Sequence, residues 1–115
     1  MDDRLKSYLA ARVRAFRRAN GITQADLAAA ISRTAEAVSN IERAKSLPSL
    51  ETILAIANAL EAPVREFFPA SDSSPRSSLK RLGLEAEATA TLNKMTDAQL
   101  AIALAQLEAL SGLKR

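Results

Sequence analysis

Apolar residues recur along this chain at intervals of three and four, and no alternating run is long enough to suggest a strand. Residues at that spacing share one face of a helix, so an all-helical chain is predicted. A first helix is expected from Arg4 to Asn20, with Leu5, Leu9, Val13 and Phe16 on its inner stripe and Asn20-Gly21 ending it. Thr23 opens a short second helix, because its hydroxyl can accept the Asp26 backbone N–H while Ile22 staples to Leu27. That helix runs out near Ile31. Thr34 caps a third, from Ala35 to about Arg43, which turns Val38 and Ile41 inward. After the Leu47-Pro48-Ser49 break, Ser49 caps a fourth whose expected buried stripe is Leu50, Ile53, Leu54, Ala57 and Leu60. A short turn from Val64 to Phe68 stops at Pro69.

The pattern then lapses. Ala70 to Ser78 carries serine at five of nine positions and a proline, a linker composition. Leu79 to Lys94 reads as a moderately helical stretch interrupted by Gly83. The last helix is clearer: Thr96 and Gln99 form a capping box, Gly112 stands at a C-terminal cap, and Leu100, Ala103, Leu104, Leu107 and Leu110 share a stripe. The expected organisation is a helical domain over 1–69, a linker over 70–78 and a helical tail over 79–115.

Composition narrows the chemistry. The 115 residues include no Cys, His or Trp. Without Cys there is no disulfide framework, thiolate zinc site or thiol nucleophile, and without His the commonest general base and metal ligand are gone. No Gly-rich phosphate loop is present, so an enzyme, a metal site and a cofactor are not expected. Four aromatics, Tyr8, Phe16, Phe67 and Phe68, do not build a stacking platform for single strands. A net charge of +3 permits an anionic partner without requiring one. No apolar run is long enough to span a bilayer, and Met1-Asp2-Asp3-Arg4 leads into no secretory h-region, so a cytoplasmic protein is expected.

The informative arrangement is the pair of short helices joined at Ser32-Arg33. Alanines on the second helix allow close approach, and the turn is too short for antiparallel packing, so the third helix leaves steeply. That is helix-turn-helix geometry, in which the second member of the pair enters a DNA major groove.

The run Gly21-Ile22-Thr23-Gln24-Ala25-Asp26-Leu27-Ala28, then Val38-Ser39-Asn40-Ile41-Glu42-Arg43-Ala44-Lys45 and Leu47-Pro48-Ser49-Leu50-Glu51-Thr52-Ile53, resembles the phage-repressor/Cro-like (XRE) DNA-binding domain. The resemblance extends from about Leu9 to Phe68 and implies a five-helix, lambda-repressor-like fold. It implies base contacts by Ala35, Glu36, Ser39 and Asn40, where an asparagine can pair with adenine and a glutamate with the cytosine amino group. It implies phosphate contacts by Thr23, Gln24, Arg33, Thr34, Arg43 and Lys45. It also implies a structural ion pair between Arg17 and Glu42.

Two positions depart from the family pattern. Ala44 stands where glycine is usual, and Arg33 where a small apolar residue is usual. The expected function is a repressor-like regulator that binds short operators in double-stranded DNA as a homodimer, with Leu100, Ala103, Leu104, Leu107 and Leu110 as the dimerisation face. The alternative for that tail is folding back on its own domain. The alternatives for function are an antitoxin that also binds a toxin, and a protein-interaction adaptor that has lost DNA binding.

Overall fold

In a computed structural model of the chain, which describes residues 3–69 and 78–112, all regular elements among the described residues are helical. They are α1 (Asp3–Ala19), α2 (Gln24–Ala30), α3 (Ala35–Glu42), α4 (Leu50–Ala59), α5 (Leu79–Asn93) and α6 (Asp97–Ser111), with a 3-10 turn at Val64–Phe67. Local chemistry explains the starts. The hydroxyls of Thr23, Thr34, Ser49, Ser78 and Thr96 each accept a backbone N–H in the first turn that follows. Such a cap typically contributes about 1 kcal/mol. At α2 the box is reciprocal: Asp26 accepts the Thr23 N–H at 2.9 Å, and these bonds hold its carboxyl below the usual carboxylate range.

The ends of α1 to α4 share one motif. After α2, the Ser32 N–H donates to Ala29 O and the Arg33 N–H to Ala28 O, and the same crossed pair of bonds closes α1, α3 and α4. Each of these Schellman turns requires one residue with positive φ. Gly21 supplies it after α1, at 71°, but Ser32 (58°), Ala44 (59°) and Glu61 (55°) supply it elsewhere. The Ser32-Arg33 turn that separates α2 from α3 is therefore the ending of α2 itself.

The core gathers Leu9, Val13 and Phe16 from α1 with Leu27, Val38, Ile56, Leu60 and Phe67, all essentially inaccessible. Phe16 and Phe67 meet with ring centroids 5.5 Å apart. Buried Arg12 reaches Glu66 at 3.2 Å and lies 4.9 Å from the centre of the Tyr8 ring. Burial, the largest cause, raises the Tyr8 pKa against the opposing pull of Arg12.

Leu50 and Leu54 are exposed, at 61% and 48%, while Thr52 and Ile56 take the inner face with Ile53 and Ala57. Spacings of three and four fit both sets, and packing against the core chose between them. Gly83 does not interrupt its helix; α5 runs straight through it. Of the linker expected at 70–78, residues 70–77 lie outside the described residues and Ser78 caps α5.

Helix α5 packs on α1. Ala86 and Ala90 join the core cluster of the first five elements. Lys94, just past α5, donates to Asn20 Oδ1 at 3.1 Å, and the Asn20 amide in turn donates to the Phe16 and Leu60 carbonyls. Helix α6 buries none of its residues.

Candidate nucleic-acid interface

Val38 and Ile41 sit inside the core, and this fixes how α3 is rotated. Glu36 on its opposite side and Ala35 in its first turn are exposed, while Ser39 and Asn40 are half-buried. The polar outer face thus begins at the N-terminus of α3, where Glu36 also suits the positive end of the helix dipole. Among the described residues the tail leaves this face open, because α5 lies along α1.

A carboxylate buried at the far end of α3 ties this helix to the scaffold. Glu42 Oε2 accepts from Arg17 Nε at 2.6 Å and Glu42 Oε1 from Arg17 Nη2 at 3.0 Å. The Glu42 side chain is 3% exposed and that of Arg17 11%. Arg17 Nη1 also donates to the Ile22 carbonyl at 2.8 Å, so one guanidinium joins α1, the approach to α2 and the end of α3. The hydrogen bond to Glu42, more than the charge attraction, raises the Arg17 pKa. Two parallel charge-assisted bonds set both distance and plane, which a point charge would not.

The same carboxylate orients Gln24. Its Nε2 donates to Glu42 Oε1 at 3.1 Å. One amide N–H is thereby spent inside the fold, and the other N–H and the carbonyl remain for an external partner. Arg33 turns toward α4, where its Nη2 donates to Thr52 Oγ1 at 3.0 Å. Arg43 lies along α3, donating to Asn40 Oδ1 at 2.8 Å and to the Ser39 carbonyl at 3.4 Å. That contact occupies one lone pair of Asn40 Oδ1, and the second lone pair and the amide N–H groups remain for a base edge. Lys45 is exposed beside these groups. Thr23 and Thr34 use their hydroxyls as helix caps.

The candidate surface is thus α3 with its neighbours: Ala35, Glu36, Ser39 and Asn40 on the helix, Arg33 and Thr34 just before it, Arg43 and Lys45 just after it, and Gln24 of α2 bonded to its last residue, Glu42. The five tail residues Leu100, Ala103, Leu104, Leu107 and Leu110 form no part of it. Of these, four are exposed and Ala103 is half-buried. Sequence reasoning did not find the couplings Gln24–Glu42, Arg33–Thr52 and Asn40–Arg43. The last is an i, i+3 pair on one helix face and was legible from spacing. The other two join residues 18 and 19 positions apart and carry no local signal.

Among the described residues no helix is long and apolar enough to cross a membrane. A family model described as a helix-turn-helix domain matches residues 8–67. No curated protein and no solved structure matches the chain.

Proposed function

The chain belongs to the helix-turn-helix family of XRE/Cro-like DNA-binding domains, and from that premise we propose that it is a repressor-like regulator of short operators. Binding to DNA in the service of transcription is what the family does. The finer reading concerns which atoms meet the duplex. Ala35, Glu36, Ser39 and Asn40 face base edges in the major groove. Gln24, with Thr23 at the start of α2, holds one phosphate through its unspent N–H and the backbone amides there. Thr34, Arg33, Arg43 and Lys45 meet phosphates on either side, and Arg43 exchanges its contact with Asn40 for one of them. That exchange also frees the lone pair of Asn40 Oδ1 that Arg43 occupies.

The observation that carries this reading is the open outer face of α3, anchored from behind by Val38, Ile41 and the Arg17–Glu42 pair. A single α3 reads only a few base pairs, so useful specificity calls for two copies about 34 Å apart along the duplex. The exposed leucines of α6 are the surface we assign to that pairing. The decisive experiment is selection of bound duplexes from random DNA. It is expected to enrich a short inverted repeat with half-sites one helical turn apart. Recovery of no preferred sequence at moderate salt would sink the proposal.

The bare α6 face also favours a second reading, an antitoxin whose tail holds a toxin. Stoichiometric co-purification of a small basic protein that is released when Leu104 and Leu107 are made polar would support it.

A further inference from the structure

A groove of 420 Å³ opens between α1, α5 and the turn that ends α3. Arg14 and Arg18 of α1 border it together with Arg43, and Leu79, Gly83 and Glu87 of α5 form the far wall. Arg14 and Arg18 are one helical turn apart on the same face and both are exposed. Neither makes a hydrogen bond or ion pair among the described residues. In contrast, Arg12, Arg17, Arg33 and Arg81 are each engaged with a side-chain partner. The acids nearby do not compensate. Glu42 is consumed by Arg17 and Gln24, which leaves Glu87 against three guanidinium groups.

Like charges one turn apart on a helix disfavour each other, and a third nearby adds to the cost. An anion between them would remove that cost. The groove is continuous with the proposed DNA surface, because Arg43 belongs to both. We propose that Arg14 and Arg18 bind phosphodiester groups of the same duplex just outside the operator half-site, so that the footprint extends from α3 onto α1. The inference rests on the DNA-binding reading above and adds to it a sequence-independent contact that the helix-turn-helix pair does not supply. Guanidinium forks suit phosphate oxygens, and such contacts add affinity and salt dependence without base preference.

The test compares the full chain with the Arg14→Gln/Arg18→Gln double variant on the selected operator, in two duplexes. One is trimmed at the half-site edges and the other carries additional flanking base pairs of arbitrary sequence. On the flanked duplex, the slope of log affinity against log salt should fall by about two units in the variant. On the trimmed duplex the two proteins should share one slope. The Arg14→Lys/Arg18→Lys variant should keep most of the wild-type slope, and melting temperatures should be alike in all three, which excludes misfolding as the cause. Identical slopes on the flanked duplex would overturn the proposal. So would pyrophosphate stabilising the wild type but not the glutamine variant while the slopes stay identical, a result that gives the groove to a small anion. Failure of the wild type to bind any duplex would overturn the DNA reading and this inference together.

Discussion

Glu42 concentrates more of the site than any other residue. It accepts two bonds from Arg17 and one from Gln24 with its side chain almost wholly inside. Removing it strands a largely buried guanidinium, a change that typically costs about 3–5 kcal/mol. Glu42→Ala is therefore expected to lower the urea midpoint steeply, and removing Arg17 as well should cost less than the two single changes added together. A Glu42→Ala protein with unchanged stability would mean that the pair does not brace α3. The fourth helix offers a second test at this scale. Ile56 is fully buried whereas Leu54 is 48% exposed. Ile56→Ala should cost about 2–5 kcal/mol, and Leu54→Ala much less. Equal losses would restore the stripe that spacing alone suggested.

At the scale of elements, helix starts and helix ends follow different rules. The starts were legible because a hydroxyl three residues ahead of a backbone N–H is a local pattern, and Thr23, Thr34, Ser49 and Thr96 all act as read. The ends were less so. Ser32, Ala44 and Glu61 adopt a left-handed backbone that their residue types disfavour, because the helices that follow must leave in directions that core packing dictates. Ala44→Gly should thus stabilise the protein by about 1 kcal/mol, strain relief exceeding the added freedom of the unfolded chain. Gly83 is the opposite case. It lies within α5, its φ is not left-handed, and a Cβ there would meet nothing within 4 Å. Gly83→Ala should stabilise by about 0.5–1 kcal/mol. Thermal unfolding checks both, and a fall in melting temperature in either variant would contradict the conformation described.

Across the whole molecule, the tail divides between two fates. Helix α5 shares the core through Ala86 and Ala90, so Gly83→Ala should raise the melting of the entire domain rather than of a separate unit. Helix α6 has no buried residue, and Ile102, Leu104 and Leu110 are 62%, 54% and 86% exposed. A radius of gyration of 15.0 Å, against about 13–14 Å for a compact chain of this length, agrees with an arm that stands away from the core. Under the proposed pairing of two copies, Leu104→Glu/Leu107→Glu should sediment as a monomer and bind single half-sites only. Its melting temperature at low concentration should stay near that of the dissociated wild type. A variant that remains dimeric would remove α6 from the interface.

The sequence by itself determined the helical class, the order of the helices, the capped starts and the family, because each of these is written in residues within a few positions of one another. It did not determine which of two overlapping apolar stripes α4 would bury, that α5 would run through Gly83 and join the core, or that Gln24 and Arg33 would turn to Glu42 and Thr52. Those outcomes belong to tertiary structure. They depend on how helices distant in sequence lie side by side, and spacing along a chain records the faces of a helix but not the neighbour each face will meet.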